Sequence, residues 1–286
     1  MKRVISMIHS IYIQVKNILH QKITIAVFGI LMLLVFLNFL SNVFTYRGHD
    51  IVDMIHPMKL LLLSYNKVYD NADPILNLTQ LYPILVVGST GFTLQQERSL
   101  KMSVYCVSRT GKKNYILSKI IASFVATTIV FTVPFLIEIA LNCVSFPLSA
   151  TGDLSYWSIY NANYLSSVSK YMFSSVFQYS AYLYAVMGTI LFGLFSGVLA
   201  MFTTAISALI QFRFRIVLFF PVYLLLNATI YLEEFVKRYG LNIHWYDYVL
   251  LFDDEKKNPA FFYAAVAVLL LLVVVFSAIS CRADEL

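Results

Sequence analysis

The sequence predicts an all-α polytopic membrane protein with six transmembrane helices, an N-terminal amphipathic elbow helix and both termini cytoplasmic. Three observations predict it. Hydrophobic residues make up 59% of the 286-residue chain and charged residues only 13%, against roughly 25% for a surface that faces water. Apolar runs of span length recur along the whole chain. Lys and Arg are distributed unequally between alternate connecting segments, as membrane topology demands.

Residues 1–22 form a basic amphipathic opening, with Val4, Ile8, Ile11, Val15 and Ile18 at helical spacing and Lys2, Arg3, Lys16 and Lys22 around them. Such a helix is expected to lie in the membrane interface, its cations toward anionic headgroups. Lys16 and Lys22 interrupt the apolar run and no small-residue cleavage site follows, so a signal peptide is not expected. The first predicted span, 23–44, is uncharged. The connector 45–73 is polar, but its Leu60–Leu63 stretch is apolar and expected to dip into the interface. The second span, 74–94, starts at Pro74, a residue suited to a helix N-terminus, and contains Pro83, which removes a helical hydrogen bond. The loop 95–119 is the most polar part of the chain. The third span, 120–141, contains Pro134.

From Tyr171 to Phe212 there is no Asp, Glu, Lys or Arg, nor any polar turn cluster. One helix, 181–209, preceded by an interfacial aromatic segment, is the expectation, with Gly188, Gly193 and Gly197 placed for close helix approach. Spans 216–232, with Pro221 near its start, and 260–281 complete the set. Trp157 and Trp245 are expected as interfacial anchors, and Tyr156, Tyr160, Tyr164, Tyr171, Tyr179, Tyr182 and Tyr184 as an aromatic band. The whole chain, 1–286, reads as a single transmembrane domain.

With the N-terminus cytoplasmic, the inner side carries Lys2, Arg3, Lys16, Lys22, the six basic residues of 95–119, Arg213, Arg215 and Arg282, or 13 of the 21 Lys and Arg. Eleven of the 15 acids fall outside. This is the positive-inside pattern. The net charge of +6 therefore reads as topology and lipid contact, with no nucleic-acid partner expected. Cys106, Cys143 and Cys281 have no CxxC spacing and the five histidines no HExxH pattern, so neither a disulfide framework nor a metal is expected.

The loop 95–119 carries the functional reading. Gln95–Val107 is helix-compatible, with Leu100, Val104 and Val107 on one face and Glu97, Arg98 and Lys101 beside it; Ser108–Gly111 breaks it, and Lys112 and Lys113 lead on toward the third span. A short surface helix between two spans can fill a groove on a soluble partner and transmit its motion. From the residues alone, a solvated basic loop that only enforces topology fits equally well. Glu138 is the one acid inside a predicted span. Intramembrane acids mark substrate and ion paths, which makes Glu138 the substrate-path candidate. Its place near the outer end of its span also fits a boundary carboxylate reached by water.

Glu97-Arg98 straight after the second span, a helical stretch, then Ser108-Arg109, Gly111, Lys112 and Tyr115-Ile116-Leu117-Ser118-Lys119 resembles the type-2 ABC transporter permease family. The glycine such permeases often carry after the acidic-Arg pair is replaced here by Ser99, Leu100 and Lys101. The resemblance implies the membrane-spanning subunit of a bacterial ABC exporter in the cytoplasmic membrane, moving an amphipathic peptide, lipid or drug-like compound. It implies a homo- or heterodimer of permease subunits and two copies of a cytoplasmic ABC ATPase. Glu97, Arg98, Leu100, Val104, Arg109, Lys112 and Lys113 would form the ATPase-coupling surface. The chain itself would be no enzyme and hold no cofactor; ATP and Mg would be bound by the ATPase. No phosphate loop occurs, since Thr110-Gly111-Lys112-Lys113 lacks the upstream glycine and the following Ser or Thr. A stand-alone secondary transporter, an intramembrane enzyme or a non-transporting assembly or sensor subunit are the alternatives. A reporter fused within 95–119 is expected to read as cytoplasmic in intact cells; an external signal would overturn the topology.

Overall fold

The computed structural model describes residues 2–50, 56–64, 74–148, 169, 171–210, 215–237, 244–252 and 259–282. The described residues are helical, with four helices long and apolar enough to cross a membrane. In chain order the helices are α1 (Lys2–Leu19), α2 (Lys22–Thr45), α3 (Pro74–Thr90), α4 (Thr93–Ser99), α5 (Met102–Thr110), α6 (Lys112–Ser145), α7 (Ser174–Tyr179), α8 (Ala181–Leu209), α9 (Phe219–Lys237) and α10 (Pro259–Arg282). Short 3-10 turns cover Pro57–Leu60 and Arg215–Leu218. The four long apolar helices are α2, α6, α8 and α10. Helix α3, of 17 residues, is shorter, spanning ~26 Å against the ~30 Å of a hydrocarbon core.

Helix α6 begins eight residues before the predicted span. Its 34 residues make ~51 Å of helix. The polar surplus lies at its N-terminal end, Lys112–Lys119, where Gly111 at φ 79° turns the chain into the helix. The segment 171–210 resolves as α7 and one long α8, separated at Ser180, whose side chain caps α8 by accepting from the Leu183 N–H at 3.3 Å.

Among the described residues the most extensive helix–helix contact is α6 against α8. It is close because α8 presents glycine there. A Cβ on Gly193 would stand 1.9 Å from Thr132 Oγ1 and 3.1 Å from the Thr128 carbonyl; one on Gly197 would stand 2.4 Å from Thr128 Oγ1. Gly188 faces Leu251, whose Cδ2 would be 2.1 Å from an added Cβ. Gly193 and Gly197 thus serve the close helix approach expected of them, while Gly188 meets a side chain of the 244–252 segment. Buried hydroxyls join neighbouring helices: Thr24 Oγ1 donates to the Ser89 carbonyl at 2.7 Å, and Ser89 and Thr127 hydroxyls meet at 3.0 Å.

Two connecting segments fold into the bundle rather than lying over it. Met58 and Leu60–Leu63 are buried in the core, deeper than an interfacial dip. The second segment, 244–252, meets the first: Leu251 N–H donates to Leu63 O at 2.8 Å, and Ser64 and Leu251 form a parallel bridge. Trp245, expected as an interfacial anchor, is half-buried against the bundle. Its ring stacks on Tyr82 at 4.8 Å, while the Tyr82 hydroxyl meets Ser196 Oγ at 2.9 Å. Tyr171 and Tyr184 likewise belong to a buried cluster with Phe177 and Phe252, whereas Tyr179 is exposed and the Tyr182 hydroxyl donates to Leu148 O at 2.6 Å. Trp157, Tyr156, Tyr160 and Tyr164 lie outside the described residues.

Helix α1 spends part of its apolar stripe on the protein. Ile18 is buried against Ala122 and Ala126 of α6, and Ser10 and Gln14 donate to Ser118 Oγ at 3.3 and 2.9 Å. Ile8, Tyr12 and Ile13 stay exposed. Val4, predicted to share the stripe, has a side chain outside the described set.

The glycine contacts make a sharp forecast. Gly193→Val is expected to cost about 1–3 kcal/mol by overpacking the α6–α8 interface. Gly29→Ala, with nothing within 4 Å of its Cβ, is expected to leave the thermal midpoint in detergent within a degree or two or raise it slightly. Equal midpoints for the two variants would contradict the close approach.

Candidate functional site

The predicted single helix Gln95–Val107 is broken in two. Helix α4 ends at Ser99, Lys101 takes a left-handed conformation at φ 56°, and α5 starts at Met102. The break removes Leu100 from the face it was expected to share with Val104 and Val107. Helix α5 runs on through the predicted breaker to Thr110 and stops at Gly111, whose N–H donates to Val107 O. The positive φ at Gly111 is what closes the helix and starts α6.

Within α4 the two charged residues turn inward. Glu97 sits between two residues of the first turns of α6: its Oε1 accepts from Lys119 Nζ at 2.5 Å, and its Oε2 accepts from the Tyr115 hydroxyl. Lys119 is 1% exposed, so its ammonium depends on that carboxylate for compensation. Arg98 reaches the C-terminus of α8, donating Nη1 to Ser207 O at 2.8 Å and Nη2 to Ala208 O at 2.9 Å. These are carbonyls that a helix end leaves without backbone partners, and the guanidinium meets both the hydrogen-bonding and the dipole demand. Ser280 Oγ of α10 donates to the same Ala208 carbonyl at 2.9 Å. Helix α4 is thus tied to α6 by Glu97 and to α8 by Arg98, and α8 to α10 at the same carbonyl.

Helix α5 turns its side chains outward. Of its residues only Ser103 is buried, and Val107 packs partly on the core. Met102, Val104 and Tyr105 are exposed at 54, 60 and 73%, and Leu100 before it at 59%. Arg109 and Lys113 are exposed and Lys112 half-buried. Six of the seven residues expected at the coupling surface divide into two sets, with the half-buried Lys112 in neither. Leu100, Val104, Arg109 and Lys113 form an outer, apolar-plus-basic surface. Glu97 and Arg98 hold the inner scaffold. Cys106 is exposed, with its thiol pushed up by burial of its sulfur and by Glu97, which leaves it no special reactivity.

Glu138 is not a boundary carboxylate. It is fully buried, with Oε1 accepting from Asn38 Nδ2 at 2.7 Å and from the Leu62 N–H at 2.8 Å. Around it, Asn38 and Asn42 both donate to Leu60 O, at 2.9 and 2.7 Å, and Asn142 donates to Pro57 O at 3.2 Å. Water was expected because α6 was taken to end near this residue; the folded-in 56–64 segment covers it instead. It lies far along α6 from the Glu97 cluster, 19 residues beyond Lys119, or ~28 Å of helix. Among the described residues no group of His, Cys, Asp and Glu is placed to hold a metal ion.

Sequence reasoning named Tyr115 and Lys119 as part of a motif without giving them a role. Their i, i+4 spacing puts both on one face of α6, and that was the available signal. The Arg98 contacts join residues more than 100 positions apart and are backbone carbonyls, which no side-chain pattern reveals. No family profile, curated protein or solved structure matches this chain.

Removing one member of the ion pair isolates its role. Glu97→Gln strands a buried ammonium and is expected to cost about 3–5 kcal/mol. The double variant Glu97→Gln/Lys119→Met removes the stranded charge and should recover at least half of that loss. A double variant no more stable than Glu97→Gln would show that Lys119 does not depend on Glu97.

Proposed function

We propose that this chain is the membrane-spanning permease subunit of an ATP-driven exporter of the type-2 ABC class. In this reading α2, α3 with α4, α6, α8, α9 and α10 supply six membrane crossings, with both termini and α5 on the cytoplasmic side. The basic residues of 95–119, Arg213 and Arg215 then face the cytoplasm. Two such subunits, identical or related, pair in the plane of the membrane. Each presents α5 to a cytoplasmic ATPase that binds ATP and Mg. Closure of the ATPases pushes on α5, and the push passes through α4 to α6 and α8.

One observation carries the proposal. A helix with three exposed apolar side chains, Met102, Val104 and Tyr105, rides on a partly buried charged scaffold. Exposed apolar side chains followed by the exposed Arg109 and Lys113 suit a groove with an acidic rim. A solvated topological loop would need neither these exposed apolar side chains nor the scaffold. The substrate class follows from the path: an amphipathic peptide, lipid or drug-like compound is what an apolar helical bundle can pass. The stand-alone secondary transporter draws its support from the buried Glu138 alone.

The test is co-purification in mild detergent from the native membrane. The chain is expected to bring down an ATPase with a phosphate-binding loop and to show ATP hydrolysis only with it. Val104→Glu/Tyr105→Glu is expected to lower the yield of that ATPase at least tenfold without changing the thermal midpoint of the chain. Repeated purification of the intact chain without any ATPase, or full retention by the double variant, would contradict the reading.

A further inference from the structure

The node around Glu138 contains more acceptors than donors. Glu138 Oε2 and Asn142 Oδ1 are both buried and both lack a hydrogen-bond partner. The two residues stand at i and i+4 of α6, on one face and one turn apart. Both point at the same object: their other atoms hold the Pro57–Leu62 turn, through Leu62 N–H and Pro57 O. Asn38 and Asn42, again i and i+4 on α2, hold the same turn through Leu60 O. A buried carboxyl in a membrane bundle is stable only when its charge is compensated. No Lys, Arg or His among the described residues pairs with Glu138.

We propose that Glu138 and Asn142 form a buried binding site for one positive charge, a proton or a small monovalent cation. The bound charge supplies both unpartnered oxygens at once. A proton on Oε2 would donate to Asn142 Oδ1; a bare cation would be shared by the two. Occupancy keeps the 56–64 segment docked, because Oε1 is the acceptor for the Leu62 amide and an uncompensated carboxylate would draw water into the node. The segment in turn carries the Leu63–Leu251 bond to the 244–252 segment, so the bound charge holds both connecting segments in the bundle. This inference does not depend on the exporter reading; it requires only that the bundle is embedded in lipid.

Other titratable groups stand on the surrounding elements. His56 and Lys59 lie on the docked segment itself, Cys143 on α6, Tyr182 and Tyr184 on α8 and Tyr82 on α3, while the buried stripe of α2 has none. None of them hydrogen-bonds or ion-pairs with Glu138. The Glu138 variant therefore separates their titration from that of the node.

The experiment is hydrogen exchange of the full chain in lipid nanodiscs, followed at peptides covering 57–64. Buffers span pH 6 to 8.5, each with sodium, potassium or N-methylglucamine chloride at one ionic strength, and rates are corrected for intrinsic exchange. In the unaltered chain, protection at Leu62 is expected to fall at least tenfold in the most alkaline N-methylglucamine buffer. Rescue by acid alone identifies a proton; rescue by sodium or potassium at fixed pH identifies a metal cation. Glu138→Gln, neutral at every pH, is expected to abolish both dependences. If that variant does not fold, Asn142→Leu is used, and the pH or cation midpoint should shift by tenfold or more in cation activity. Protection that ignores both pH and cation in the unaltered chain overturns the proposal. So does a dependence that survives Glu138→Gln, or an unshifted midpoint in Asn142→Leu.

Discussion

The buried ammonium of Lys119 and the carboxylate of Glu97 set the condition under which the rest of this arrangement works. A charge at 1% exposure cannot stand alone in an apolar bundle, so α4 must return to α6 wherever the chain goes between them. That constraint forces the tight path through Lys101 and Gly111, the two residues at positive φ that bound α5. Arg98 adds a second anchor, on the carbonyl end of α8. Helix α5 is thus carried by a bracket fixed at both feet. Its outward apolar residues are held in place by contacts they do not make themselves.

At the other end of α6 the chain uses polar contacts for a different purpose. Asn38, Asn42, Glu138 and Asn142 fasten a folded-in connector by its backbone, meeting amide and carbonyl groups that lipid could not satisfy. Between the two ends, α6 and α8 pack through glycine and threonine, where small residues replace the hydrophobic driving force that is missing inside a membrane. A long helix gripped at one end by a charged bracket and at the other by a buried polar node is suited to carrying a displacement from one end to the other.

Much of the helical plan was legible because lipid imposes a simple rule: uncharged runs of about 20 residues become helices. The bounds 181–209 of the long glycine-bearing helix are those of the sequence reading, and Pro74 marks a helix start as read. The errors cluster where tertiary contacts override local pattern. Lys112 and Lys113 argued for a loop, yet the helix starts there because Gly111 supplies the turn. Leu100 matched an amphipathic face by spacing, but a left-handed Lys101 cut that face in two. Glu138 was placed at a wet boundary because nothing in residues 45–73 says that the segment folds back into the bundle. The candidates Leu100, Val104, Arg109 and Lys113 are exposed. The inward roles of Glu97 and Arg98 required knowing where α8 ends.

The most direct test of the bracket is a distance between α5 and α8. A spin label on the exposed Cys106, with Cys143 and Cys281 replaced by alanine, is paired with one at Ile210→Cys, and the distance distribution is recorded in nanodiscs by pulsed electron resonance. A single narrow distribution that broadens when Glu97→Gln and Arg98→Met are introduced together is the predicted result. A broad distribution in the unaltered bracket, or a narrow one that survives loss of both anchors, would contradict it.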